Sequence, residues 1–402
     1  DIDEHIHVRF NDAGHMLGSA IIEVWVDEDG KTTKTVFSGD LGVLDRPILR
    51  DPTIIKKADY VIMESTYGNR LHPENATSIE QLLDIVIKTT RRGGTVVIPS
   101  FAVGRTQELI YEFNRFYLER PEYKDELEKL TVYIDSPMAT SATEVFRRNA
   151  QVFDEETKAY ILKGDNPLDF PNLRFTSSTA ESPALNMDRK PKIIISASGM
   201  CEAGRIRHHL KHNLWDPKSS VIFVGYQAEG TLGRMLTEGQ KDVVLFGEAV
   251  HVNAEIYNLE GFSGHADKEG LLGWLSGFQV KPKQLFLVHG ELESKEALAA
   301  SIRERLGYDP VVVTGVSEFE LKKTEIVSKE EIYEDAIDNE AVEATKQRII
   351  EIHDQIENLL YNTGLVMGEK ISPEKMSRIN DLVLALQKDS LNLGSVITSD
   401  ND

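Results

Sequence analysis

The sequence predicts an α/β protein, and three observations carry that expectation. Short apolar runs rich in β-branched residues recur from the start to about residue 323: YVIMES (60–65), TVVIPS (95–100), LTVYIDS (130–136), KIIISAS (192–198), SVIFVGY (220–226) and QLFLVHG (284–290). Between many of them lie stretches with apolar residues at helical spacing, such as SIEQLLDIVIKTTRR and RTQELIYEFNRFYLER. The runs end in small or polar residues, and in sheets of this kind functional groups collect at the carboxyl ends of the strands.

Taken in order, HVRF and AIIEVWV read as paired strands joined by a turn over residues 14–19, with His15 between Gly14 and Gly18. Such a histidine either makes one hairpin hydrogen bond or serves a site, and the turn alone does not choose. VFSGDLG then puts Asp40 after a strand and a Ser-Gly turn, and VIMESTYG puts Glu64 at a strand end. GFSGHAD puts His265 in a glycine-bounded loop, and LFLVHGE puts His289 at the end of an apolar strand. A polar residue in that position also serves simply to cap the next helix. SASGM precedes a basic helix read over CEAGRIRHHLKH, and AVGRTQE opens another. Ser198, Gly199 and Arg105 could there offer backbone N–H groups and a guanidinium to phosphates, although capping explains the small residues equally well.

From about Ser328 the pattern changes. Val342, Thr345, Ile349, Ile352, Ile356 and Leu359 form one helical stripe, Asn362-Thr363-Gly364 ends it, and Ser372-Pro373 starts a second helix bearing Met376, Ile379, Val383 and Leu386. A helical hairpin packed on the body, or a contact in a homodimer, fits that stripe.

With 402 residues the chain is long enough for two or three domains, and no apolar run approaches the roughly 20 residues of a membrane span. The single cysteine, Cys201, excludes an intrachain disulfide; it fits a reducing cytoplasm and reads as a small buried residue. The net charge of -21 argues at first against a polyanionic partner. Residues 325–402 hold 17 acidic and 7 basic side chains, however, so nearly half the excess lies in the last fifth, and locally basic clusters remain elsewhere. Two imidazoles and a carboxylate at strand ends suit zinc, and an additional His/Glu pair could supply or orient a proton.

The motifs DAGHMLGSA, FSGDLG, MESTYG, PSFAVGRTQE, SASGM, GYQAEGTLG, FSGHAD and LVHGE resemble, in this order, those of the β-CASP family of metallo-β-lactamase-fold nucleases, the prokaryotic RNA-processing hydrolases above all. The likeness covers about residues 8 to 320. It implies a metallo-β-lactamase αββα sandwich over residues 1–70 and 246–325 and a Rossmann-like β-CASP domain inserted over 71–245; the helical stripes read above make residues 326–402 a C-terminal helical extension. The likeness further implies that His15, Asp40 and His289 hold metal, with Asp40 bridging two zinc ions, and that His265, held by Glu64, is the proton donor.

One departure stands out. The family's His-x-His-x-Asp-His motif does not occur; His5-Ile6-His7 mimics its first half, but Val8-Arg9 follow. The reading is that the motif lies upstream of Asp1, the sandwich being incomplete there and the chain as given inactive. The implied activity is zinc-dependent hydrolysis of RNA phosphodiesters, internally or from a 5′ end. The rivals are a DNA-directed nuclease, disfavoured because that branch usually carries valine at the place of His289, and a noncatalytic scaffold subunit, disfavoured because the later motifs are intact. A small-molecule hydrolase fits poorly with the long insertion.

Overall fold

A computed structural model describes residues 1–72, 75–176 and 180–321, together with Arg378 and Ala385. The helical stripes expected over 342–386 lie outside the described residues. The chain divides into two compact units. One comprises residues 1–8, 24–34 and 319 onward, and the other residues 9–23 and 35–318. In the first, the Asp27 amide donates to the His5 carbonyl, and the Lys34 ammonium lies 4.9 Å from the centre of the Trp25 ring. Among the described residues, no helix is long and apolar enough to cross a membrane.

One sheet takes strands from both ends of the described chain. Its members are β1 (Ile6–Asp12), β2 (Ala20–Glu28), β3 (Lys31–Phe37), β4 (Tyr60–Met63) and two late strands described below. The second sheet is built from β5 (Val96–Pro99), β6 (Val132–Ile134), β7 (Leu173–Phe175), β8 (Ile193–Ser196) and β9 (Ser220–Phe223). A hairpin of β10 (Asp242–Leu245) and β11 (Glu248–His251) follows. The chain then adds β12 (Glu255–Asn258) to the second sheet and returns to the first with β13 (Gln284–Leu287) and β14 (Val311–Val312). The first sheet runs β1-β2-β3-β4-β13-β14 and the second β12-β9-β5-β8-β6-β7, the second parallel throughout.

The expected strands and both expected amphipathic helices are present, the latter as Asn75–Arg91 and Arg105–Glu119. Central strands such as β5, β8 and β9 are buried along their whole length, which is why they read as unbroken apolar runs. The expected basic helix over residues 201–212 is corrected. It begins only at Ile206 and runs to Asn213, because Cys201 and Gly204 adopt positive φ (65° and 80°), which no helix accepts. Cys201 itself is buried, as expected.

Register positions the chemistry. Ile62 of β4 pairs with Phe37 of β3 and Phe286 of β13, all in parallel, so three strands end side by side. Asp40, Glu64 and His289 follow those ends and leave the sheet along one edge. Likewise Pro99 pairs with Ser196 across β5 and β8, so the loops bearing Phe101 and Ser198 leave the second sheet together. Below the first edge, Val36, Val61, Met63, Leu285 and Leu287 pack against Leu271, Leu275, Leu298 and Ile302. At about 25 cal/mol per Å² this burial anchors the strand ends from which the polar residues project.

Candidate metal centre

Three loops are stitched together by backbone contacts. The Gly42 amide donates to the Ala13 carbonyl at 2.7 Å, the Ala266 amide to the Leu41 carbonyl at 2.7 Å, and Gly42 bridges His265. Residues 13–15, 40–42 and 264–266 therefore lie side by side, although up to some 250 positions separate them in sequence. The loop carrying His15 turns at Gly14, whose φ is +73° and whose absent Cβ would stand 2.7 Å from Cδ of Pro52. Gly42 is equally constrained: a Cβ there would lie 1.9 Å from the Gly14 carbonyl oxygen and 2.7 Å from the His15 amide nitrogen. Gly42→Ala is expected to push these loops apart, lowering Tm by several degrees and zinc affinity by at least about tenfold. Gly273→Ala, a helical position with open space around it, is the control in thermal melts and zinc titrations. Unchanged zinc affinity in Gly42→Ala would show that the close approach does not place His15.

Among the described residues, His15, Asp40 and His265 form one group with donor atoms all within 4.8 Å of one another. The His15 and His265 ring centres are 4.3 Å apart, and Nε2 of His15 lies 4.0 Å from Asp40 Oδ2. His289 joins from the other side, with Nε2 3.4 Å from Asp40 Oδ1 and a φ of 40° that turns the chain sharply after β13. Asp40 thus faces His15 and His289 through different oxygens.

Glu64 is buried and fully engaged. Its Oε1 accepts from the Leu41 amide at 2.6 Å, its Oε2 from the Thr66 hydroxyl at 2.6 Å, and both face Nδ1 of His265 at 3.2 Å. Burial works against the charged form of His265, but the hydrogen bond and charge of Glu64, with Asp40 beyond, outweigh it and hold its pKa above 6.5. Burial pushes the pKa of His15 down, helped by the neighbouring His265, which favours the neutral ring and its one nitrogen lone pair for a cation. Two imidazoles and a carboxylate in reach of one point, with Asp40 partly open to solvent, are a donor set that fits zinc.

The remaining expected residues are placed as follows. His5 and His7 belong to the first unit, where His7 Nδ1 lies 2.6 Å from Asp1 Oδ1. Gly199 sits beneath Phe101, its absent Cβ 3.1 Å from that ring, and the Gly199 carbonyl accepts from Gln227 Nε2. Ser198 Oγ is buried without a hydrogen-bond partner among the described residues. Arg105 does not reach outward: it is buried, ion-paired to Glu108, and burial pulls its pKa to about 10. Glu108 also receives Arg46, 62 positions earlier, at 2.6 Å. Local pattern carries no signal for that link, nor for Gly42. It equally lacks one for His72, whose Nε2 lies 3.0 Å from the His265 carbonyl.

The α/β scaffold, with His and Asp donors gathered where strands end, is that of the metallo-β-lactamase-fold hydrolases. Residues 106–236 match the Beta-Casp domain family, and residues 249–313 match the Zn-dependent metallo-hydrolase RNA specificity domain. The chain is 39% identical over 293 residues to ribonuclease TTHA0252 of Thermus thermophilus, covering 73% of this chain and 64% of that protein. It is 33% identical over 308 residues to an RNase J-like protein of Methanocaldococcus jannaschii, covering 76% and 68%. It is 34% identical over 305 residues to the transcription termination factor FttA of the same archaeon, covering 73% and 46%. The chain belongs to the β-CASP family of metallo-β-lactamase-fold hydrolases. It spans between about half and two thirds of the length of most of these curated relatives.

Proposed function

We propose that the protein is a zinc-dependent phosphodiesterase acting on RNA, with residues 71–245 inserted between two parts of the metallo-β-lactamase domain and residues 326–402 appended. The observation that carries this is the meeting of His15, Asp40 and His265 at one point, backed by the buried carboxylate of Glu64 and flanked by His289. In this reading His15, Asp40 and His289 would hold the metal, and Asp40, whose two oxygens face different imidazoles, would serve two zinc ions. Zinc bound there supplies a Lewis acid that neutralises phosphate charge and lowers the pKa of a coordinated water.

The chain's own groups do the rest. Glu64 fixes Nδ1 of His265 and favours its protonated form, leaving Nε2 to deliver a proton to the leaving oxygen, a step worth roughly 10² to 10⁴ in rate. Ser198 and Gly199, at the carboxyl end of β8, would serve the substrate only through the backbone of their loop, the Ser198 hydroxyl being buried, whereas Arg105 and Arg46 are both spent on Glu108. A second reading makes His265 a zinc ligand, since its donor atom already lies within 4.8 Å of those of His15 and Asp40.

Labelled single-stranded RNA and duplex DNA of matching sequence, incubated with the full-length protein and zinc, test the proposal. RNA is expected to be cleaved faster; faster cleavage of DNA would overturn the assignment.

A further inference from the structure

A ladder of rings leads from the metal centre to the surface. Tyr67 is buried edge-on to His265, with centroids 5.9 Å apart, and edge-on to His72 at 4.8 Å. The guanidinium of Arg70 lies over the Tyr67 ring, 4.1 Å from its centroid, and 5.7 Å from the centroid of Tyr226. The backbone at Arg70 is fixed as well: its amide donates to the Tyr67 carbonyl, and its carbonyl accepts from the Lys268 amide. Tyr226, after β9, is 40% exposed. Its neighbour Gln227 is buried and donates to the carbonyls of Gly199 and Gly225. Beyond Gly199 stands Phe101, 48% exposed, at the end of β5.

Arg70 is exposed, and among the described residues no carboxylate pairs with it. In a chain of net charge -21, a guanidinium left to two aromatic rings keeps its charge available to an anion. Two flanking rings restrict the guanidinium, which lowers the entropy lost on binding, and they engage its face rather than its N–H groups. The N–H edge of a guanidinium suits a phosphodiester, to which it can donate two parallel hydrogen bonds. The open faces of Tyr226 and Phe101 suit nucleobases, which stack on aromatic rings whatever their identity when the strand is single. A duplex keeps its bases stacked on one another and could not use them.

We propose that Arg70, held between Tyr67 and Tyr226, grips the phosphate backbone of single-stranded RNA beside the bond to be cleaved, while Tyr226 and Phe101 stack the adjoining bases. This rests on the reading of the protein as an RNA hydrolase. The ladder acts on binding and positioning, not on the chemical step.

The test measures binding of a short fluorescein-labelled single-stranded RNA, and of duplex DNA of the same sequence, by anisotropy in EDTA over a range of salt. Arg70→Gln is expected to weaken RNA binding and to flatten the plot of log K against log salt by about 0.7, the loss of one phosphate contact on a single strand. Arg70→Lys is expected to restore that slope but not the full affinity. Tyr226→Leu is expected to weaken binding roughly five- to a hundredfold at every salt concentration with the slope unchanged, and Tyr226→Phe to retain it. Tyr226 is half exposed, so its variants keep the question answerable even if Arg70→Gln melts early. Wild-type affinity and slope in both Arg70→Gln and Tyr226→Leu would overturn the ladder and leave the RNA reading standing. Preference of the unaltered protein for the duplex DNA, or failure to bind the RNA, would overturn the RNA reading and the ladder with it.

Discussion

Asp40→Ala is expected to weaken zinc binding by more than a hundredfold, the largest loss from any single change at this site. Loss of a group that merely orients a ligand costs roughly 10 to 100-fold, and Asp40 is itself placed to bind. Among the described residues it is also the one carboxylate within reach of both His15, at 4.0 Å, and His289, at 3.4 Å. Removing it leaves imidazoles around a cation with no negative charge among them. Isothermal titration with a competing chelator measures the effect, and His289→Ala is expected to lose metal to a lesser degree. His265→Ala separates the two readings of that residue: retained zinc with cleavage reduced at least about tenfold supports the proton-donor role. Zinc loss equal to that of Asp40→Ala would make it a ligand. Asp40→Ala binding zinc as tightly as the unaltered chain would remove this centre from the proposal altogether.

Glu64→Gln is expected to change the protonation of His265 while leaving the fold in place. The carboxylate accepts from the Leu41 amide, the Thr66 hydroxyl and His265 at once, and a glutamine can accept through only one atom. One buried donor is left unsatisfied, at a cost of about 1 to 3 kcal/mol, so Tm falls without loss of the native state. More telling is His265 itself. Burial is the largest influence on it and acts downward, and it is then opposed only weakly, so its pKa should drop below 6.5. In the unaltered, metal-free chain the folded pKa lies above the unfolded one. His265 therefore contributes stability that is complete below about pH 6.5 and fades as pH rises through the folded value. In Glu64→Gln the sign reverses, and burying the ring costs stability under acid conditions. The stability gap between the two chains should thus be widest below pH 6 or so and narrow above neutrality. NMR titration of the His265 ring in EDTA, alongside thermal melts at several pH values, measures both. An unchanged titration would show that Glu64 does not govern His265.

Much of this site was legible in the chain before any folding was considered. The strand runs before Glu64 and His289 are apolar and β-branched because they lie in the middle of a sheet, and the polar residue ending each marks where the strand leaves it. His15 between two glycines likewise announced a tight turn. Elements with little burial were less visible. The strand β7, the hairpin of β10 and β11, and β12 are short and each carries a polar or charged residue, so their periodicity is weak. The late start of the helix at Ile206 depends on positive φ at Cys201, which its residue type does not advertise.

Residue types and their order along the chain therefore determined the fold class, the strand ends and the kinds of side chain that stand there, since each depends on local composition and on burial within one element. Which groups meet was decided only by the tertiary structure. Parallel register set three strand ends level, and the glycine at position 42 let the loops of His15 and Asp40 touch. Glu108 turned Arg105 inward, away from solvent, because a buried carboxylate 62 residues from Arg46 needs its charge balanced. Contacts of this kind rest on distances between atoms remote in sequence, and no local pattern encodes them.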